Sequence, residues 1–165
     1  MGSAKVLTVS DGVVAGTRED TSGVGLVEHL RGLGWQVVDH QVCSDGENAV
    51  AGALTELAHG FHGLIVTTGG TGFGPRDQTP EGTRRVLERE APGLAEAMRL
   101  VNPLGRLSRG VAGTRGTALI INTPGSARGC CEVVDAVADV LTHAVSLLVD
   151  NADPHPVEPT EGRPS

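Results

Sequence analysis

The apolar run Leu64-Ile65-Val66 empties into Thr67-Thr68-Gly69-Gly70-Thr71-Gly72-Phe73-Gly74, and Thr79-Pro80 then opens a helical stretch. A strand that ends in a glycine turn before a helix is half of a β–α unit, and such units put ligands at the carboxyl ends of their strands. Glycines let the backbone turn sharply and approach a ligand with no Cβ in the way. Threonines among them add hydroxyls, and successive backbone N–H groups form a concavity that holds anions. Asp77 is the odd member, since a carboxylate beside a phosphate cradle repels the ligand unless a cation lies between them. The simplest reading is a nucleotide phosphate, Mg²⁺ and a carboxylate meeting at one strand end.

The rest of the chain repeats the pattern. Ala4 to Val9 predicts a first strand ending at Ser10-Asp11-Gly12, followed by a turn-rich segment to Gly23. Val24, Val27, Leu30 and Leu33 recur at helical spacing, with Asp20-Thr21-Ser22 offering caps. Trp35 to Val42 predicts a second strand leading to Cys43-Ser44-Asp45-Gly46, and Val50, Ala53, Leu54 and Leu57 stripe a second helix. Gly63 to Thr68 is the third strand, and Thr79 is expected to cap a third helix with Pro80 in its first turn. Three strand-to-helix units predict an α/β fold, a three-layer, doubly wound and mostly parallel sheet with helices on both faces. Ser10-Asp11, Asp45 and the Gly69–Asp77 loop should then converge on one edge.

Leu94 to Leu100 predicts a short helix, and Gly110 to Ile121, broken at Arg115-Gly116, a hairpin adding one antiparallel strand. Its member Leu119-Ile120-Ile121 delivers Asn122-Thr123-Pro124-Gly125-Ser126 to the same edge. One long helix is expected over Ala127 to Val149, with Val133, Val134, Val137, Val140, Leu141, Ala144, Val145 and Leu148 towards the core. Residues 1–150 read as a single domain, and Asn151 to Ser165, with four prolines and little apolar content, as a disordered tail.

Composition narrows the function. With two Phe, one Trp and no Tyr, the core has to be built from aliphatic side chains, which suits a helix-covered parallel sheet. A net charge of −7 argues against sequence-independent nucleic-acid binding, which needs a basic face. No apolar run approaches the roughly 20 residues of a membrane span, so a soluble, cytoplasmic protein is expected. Cys130 and Cys131 read as small side chains buried in a helix rather than as a disulfide or metal pair. The six histidines show no metal-ligand spacing.

With these segments assembled, the chain resembles the MogA/MoaB-like molybdopterin adenylyltransferase family of molybdenum cofactor synthesis. The resemblance is carried by Val9-Ser10-Asp11 with Gly16 and Asp20-Thr21-Ser22-Gly23, by Ser44-Asp45, by Thr67 to Thr79, and by Ser108-Arg109 through Gly113, Arg115-Gly116 and Asn122 to Ser126. It implies a homotrimer that transfers AMP from Mg-ATP to the terminal phosphate of molybdopterin, releases pyrophosphate, and hands its product to a molybdenum-insertion enzyme. Asp45 and Asp77 match the family's two essential acidic positions, catalytic and magnesium-holding. Thr68, Gly69, Gly70, Thr71 and Gly72 match its nucleotide loop, and Asn122, Pro124, Gly125 and Ser126 the second ligand-facing loop, with Ser10 and Asp11 as further contacts. The chain departs from the family pattern at Ser44 and Ala127, where proline is common, and at Gly12, where a larger residue is usual.

Bland alternatives stand beside these readings. Asp45-Gly46 and Ser10-Asp11-Gly12 are turn-like by composition alone, Asp77 can be a near-cap residue, and Arg76 and Arg109 suit either phosphates or a solvated surface. At the level of function, the alternatives are a non-catalytic molybdopterin-binding scaffold and a molybdenum-insertion enzyme. The second is disfavoured by the lack of room for further domains.

Overall fold

Alternation on the strands decides how the layers assemble. In β1 (Ser3–Val9), β3 (Gly63–Thr68) and β6 (Ala118–Thr123), successive apolar residues point to opposite faces. Ala4, Val6, Leu64, Val66, Leu119 and Ile121 belong to one core, whereas Leu7, Val9, Ile65, Ala118 and Ile120 belong to the other. The computed structural model describes residues 2–149, and in it both faces of the central strands are covered.

Helix α2 (Thr21–Gly32), α5 (Pro92–Leu100), α6 (Ala127–Asp135) and α7 (Ala138–Ser146) cover the first face. On the second lie α3 (Glu47–Ala58) and α4 (Thr79–Val86), supplying Val50, Ala51, Leu54, Leu57 and Val86. Fully buried Leu and Ile side chains on these helices and strands each contribute about 1.5–3 kcal/mol. With β2 (Gln36–Cys43), β5 (Ala112–Arg115) and the two-residue β4 (Arg89–Glu90), the sheet has the order β2-β1-β3-β6-β5-β4. The first four are mutually parallel, and β5 runs antiparallel to both β6 and β4. The expected α/β architecture and hairpin are present, with β4 as an edge addition too short to carry a sequence signal.

From β1 the chain moves outward to β2, then returns to place β3 on the other side of β1. This reversal is a topological switch point, and it opens a crevice between the loops leaving β1 and β3.

Three local expectations need correction. Val24 is exposed and Leu26 takes its place in the core, because Asp20 caps α2 and the buried face runs through Gly23, Leu26, Val27 and Leu30. The long final helix is broken at Ala136-Val137, where backbone bonds shift to the tighter i→i−3 pattern, Val137 to Val134 and Val140 to Val137, so Val140 faces solvent. No Pro or Gly marks this break. Thr79 does not cap α4, since the cap position is Gln78 and the Thr79 hydroxyl donates instead to the Gly69 carbonyl at 2.9 Å. The expected tail, 151–165, lies outside the described residues.

Candidate nucleotide and pterin site

The loop leaving β3 is shaped by close backbone approach. Gly69 and Gly70 have φ of 101° and 68°, in the left-handed region that L side chains avoid. A Cβ on Gly69 would lie 2.3 Å from the Val9 carbonyl, and one on Gly70 would lie 2.2 Å from the Thr79 hydroxyl. The glycines therefore press the loop against the end of β1 and the start of α4. Behind it, Asn122 is buried and completely engaged: Oδ1 accepts from Val111 N, and Nδ2 donates to the hydroxyls of Thr67 and Thr83. Thr123 donates to Thr67 O at 2.7 Å and Thr68 to Pro124 O at 2.8 Å, which ties the ends of β3 and β6 together.

In front of the loop lies an open cavity of about 1080 Å3. Asp45, Asp77, Ser10, Thr68 to Gly72, Asn122 and Pro124 to Ser126 all line it, so segments far apart in sequence meet there. Asp45 and Asp77 flank the turn: Asp45 Oδ1 is 3.2 Å from where a Gly70 Cβ would stand, and Asp77 Oδ2 is 2.9 Å from the corresponding point at Gly72. Each carboxylate uses one oxygen on the backbone, Asp45 Oδ2 accepting from Asp11 N at 2.8 Å and Asp77 Oδ2 from Gly74 N at 2.9 Å. Asp45 Oδ1 and Asp77 Oδ1 have no donor among the described residues. The N–H groups of Gly70, Thr71 and Gly72 likewise have no acceptor among them.

Asp11, expected as a ligand contact, does not line the cavity. Its carboxylate is gripped by Arg76, with Nε to Oδ2 and Nη2 to Oδ1 both at 3.0 Å, and also accepts from Asp45 N. The guanidinium holds the Asp11 carboxyl below the usual carboxylate range. Arg76 and Arg109 do not line the cavity either, because both are engaged by the loops they brace. The hydroxyls of Ser10 and Ser126 cap α1 (Asp11–Val14) and α6 by accepting from Val13 N and Gly129 N.

Sequence reasoning missed two parts of the wall. Asp20, foreseen only as a cap, faces the cavity while accepting from Gly23 N and from the Thr8 hydroxyl, with His40 Nε2 at 3.0 Å. Met98, Leu104 and Leu107 form an apolar lip from α5 and the 3-10 turn Pro103–Leu107, with Leu104 and Leu107 exposed. No repeating pattern in 98–107 announces this lip. The wall carries Glu19, Asp20, Asp45, Asp77 and Glu132 against only Arg18 and Arg99, and Arg99 already donates to Gly110 O. An anionic ligand would need amides and a cation to enter such a field. Cys130, buried beside this wall, has its thiol pushed up to about 12 by burial, so it is a packing group rather than a nucleophile.

The fold and site define an α/β protein with a glycine turn and two carboxylates lining a cavity at a topological switch point. The chain matches the family described as a probable molybdopterin binding domain over residues 5–143, and it belongs to that family. It is 34% identical over 153 residues to the molybdopterin adenylyltransferase of Helicobacter pylori J99, covering 88% of this chain and 87% of that protein. Among solved structures, the molybdopterin biosynthesis enzyme MoaB of Thermus thermophilus superposes with a TM-score of 0.85 at 45% identity, covering 92% of this chain and 98% of that one. The molybdopterin biosynthesis Mog protein of Mycobacterium ulcerans superposes at 0.83 with 37% identity, over 90% and 100% of the two chains.

Proposed function

We propose that this chain is a molybdopterin adenylyltransferase of molybdenum cofactor biosynthesis. The observation that carries this reading is one cavity edge where three loop amides stand between two carboxylates, the amides and one oxygen of each carboxylate having no partner among the described residues. Amides of Gly70 to Gly72 receive phosphate oxygens, and Asp45 and Asp77 face the magnesium that arrives with ATP. The donor set suits an ion shared with the substrate, since magnesium takes one or two carboxylates with phosphates completing its shell.

An anionic oxygen of the molybdopterin phosphate attacks the α-phosphorus of ATP. The bond from that phosphorus to the bridging oxygen breaks, and pyrophosphate leaves with the electron pair. No proton has to move, so the wall needs no general base, and positioning with charge neutralisation supplies the catalysis. A cavity of about 1080 Å3 lies at the upper end of the common range for ligand sites, about 300–1,000 Å3, and so has room for large substrates. The Met98–Leu107 lip offers apolar contact to a flat heterocycle. Purified protein given Mg²⁺, ATP and molybdopterin should release pyrophosphate only when all three are present. A folded preparation that binds molybdopterin and releases none would establish the scaffold reading in its place.

A cytoplasmic homotrimer that hands adenylylated molybdopterin to a molybdenum-insertion enzyme completes the proposal. It rests on the family resemblance, and light scattering tests the trimer directly. Among the described residues no helix is long and apolar enough to cross a membrane.

A further inference from the structure

Four consecutive carbonyls of the glycine turn are pinned from the side away from the cavity. Gly69 O accepts from the Thr79 hydroxyl at 2.9 Å and Gly70 O from Thr79 N at 3.0 Å. Thr71 O accepts from Arg109 N at 2.9 Å and Gly72 O from Arg109 Nε at 2.8 Å. In a planar trans peptide the C=O of one residue and the N–H of the next point in opposite directions. Holding these four carbonyls outward therefore turns the N–H groups of Gly70, Thr71, Gly72 and Phe73 the other way. Arg109 fixes the second half of this row and then continues, with Nη2 donating to Asp77 O at 2.6 Å and Nη1 paired to Glu81 in the first turn of α4. One side chain thus fastens the turn, the backbone of Asp77 and the helix behind them.

We infer that Arg109, oriented by Glu81, is a positioning residue that sets the Gly70–Gly72 amides and Asp77 for the triphosphate without touching it. The guanidinium suits the task because its rigid fork reaches several acceptors at once, which a lysine ammonium on a flexible stem does not reproduce. The Arg109 guanidinium also holds the Glu81 carboxyl below its usual range, so the orienting charge persists at neutral pH. This role rests on the nucleotide reading of the site.

The decisive variant is Arg109→Lys, which keeps charge and bulk but loses the fork, with Glu81→Gln as a milder second. Nitrogen-15 relaxation at Gly70, Thr71 and Gly72 reads the clamp itself, and calorimetry with Mg-ATP reads its consequence. In Arg109→Lys the loop order parameters should fall from the rigid value of about 0.85 to below about 0.6, while β1 and β3 amides and the melting curve stay close to wild type. Turnover per KM for ATP should drop about 10²-fold, the scale of a 1 Å misplacement, with molybdopterin affinity little changed. Glu81→Gln should fall between the two proteins. In Arg109→Ala, added guanidinium should restore part of the activity, which a purely structural loss does not allow. Unchanged loop order overturns the inference, and so does lost order with unchanged Mg-ATP affinity. Wild-type protein that binds no Mg-ATP would instead sink the nucleotide reading, and relaxation would still decide whether Arg109 fixes the loop.

Discussion

The loops leaving β3 and β6 start side by side and both line the cavity, yet these two strand ends divide their polar groups in opposite ways. After β3, the carbonyls are engaged by the protein and the amides of Gly70, Thr71 and Gly72 are left over. At the end of β6 and just beyond it, the side chains are engaged: Asn122 makes three bonds, Thr123 one and Ser126 a cap. On the proposed reading the first loop presents amides to a ligand, while the side chains that end β6 also brace the first loop. A polar residue at a strand end identifies the functional edge, but only its hydrogen-bond partners separate a contact from a support.

Substitutions should split along that line. Asp77→Asn removes a charge from the presenting loop without adding a steric conflict, and it should cut pyrophosphate release by at least about 10³-fold, as when preorganised charge stabilisation is lost. Its thermal midpoint should stay near wild type, and near-normal turnover would refute the role given to Asp77. Asn122→Ala should do the reverse. It leaves the Val111 amide and the Thr67 and Thr83 hydroxyls without their buried partner, at about 1–3 kcal/mol for a group left unpaired. A loss of about 2–4 kcal/mol in urea unfolding is expected, with residual activity per folded molecule. A stable, inactive Asn122→Ala would move Asn122 from support to contact.

Glycine to alanine sharpens the comparison with one chemical change in each loop. At Gly70 the φ of 68° strains any L side chain, and the new methyl would displace the Thr79 hydroxyl from its hold on Gly69 O. A cost of about 1–3 kcal/mol follows from the backbone alone, together with weaker ATP binding. Gly125 has no left-handed φ, and its added Cβ would meet only the backbone of Gly69, at 3.3 Å from Cα. Gly125→Ala should cost less than about 1 kcal/mol, as a pair of denaturation curves would read.

Much of this was legible in the sequence because the signals are local. The strand Gly63–Thr68, the hairpin at Arg115-Gly116 and the stripe of Val50, Leu54 and Leu57 are each set by alternation, turn residues or helical spacing within about ten positions. Asp45 and Asp77 were singled out through a family motif, and the expected strand-to-helix units put both at the carboxyl ends of strands, on one edge. What stayed hidden is non-local. Whether Arg109 meets phosphate or carbonyl oxygen depends on a turn almost forty residues away, and the same holds for Arg76 and Asp11 across a still longer separation. Thr79 reads as a cap because Ser/Thr before a helix usually is one, but α4 begins at Thr79 itself, and its hydroxyl donates into the glycine turn. Leu104 and Leu107 of the lip are exposed, so no burial pattern records them.

A third strand end completes the comparison and gives the smallest predicted effect. The loop after β1 neither leaves its amides over as the β3 loop does nor rests on buried side chains like those that end β6. It is tied to its neighbours by the Asp11–Arg76 pair and by reciprocal bonds in which Asp11 N donates to Asp45 Oδ2 and Asp45 N to Asp11 Oδ1. The Asp11 carboxyl is held below its usual range chiefly by its hydrogen bond with Arg76. A carboxylate depressed on folding adds stability that is complete above its unfolded pKa and disappears as pH falls through the folded value. Acidification below the ordinary carboxylate range, about pH 4, should therefore release Arg76 and loosen the Asp45 turn before the sheet unfolds. Because the pair is exposed and screened by solvent, global stability should barely register this step. A probe at the Asp45 turn, such as its amide resonance followed from neutral to acid pH, should report it clearly. Asp11→Asn should abolish that acid transition while leaving the neutral-pH fold unchanged. A transition that survives in Asp11→Asn would assign it to another carboxylate at the rim and leave the β1 loop without a tethering role.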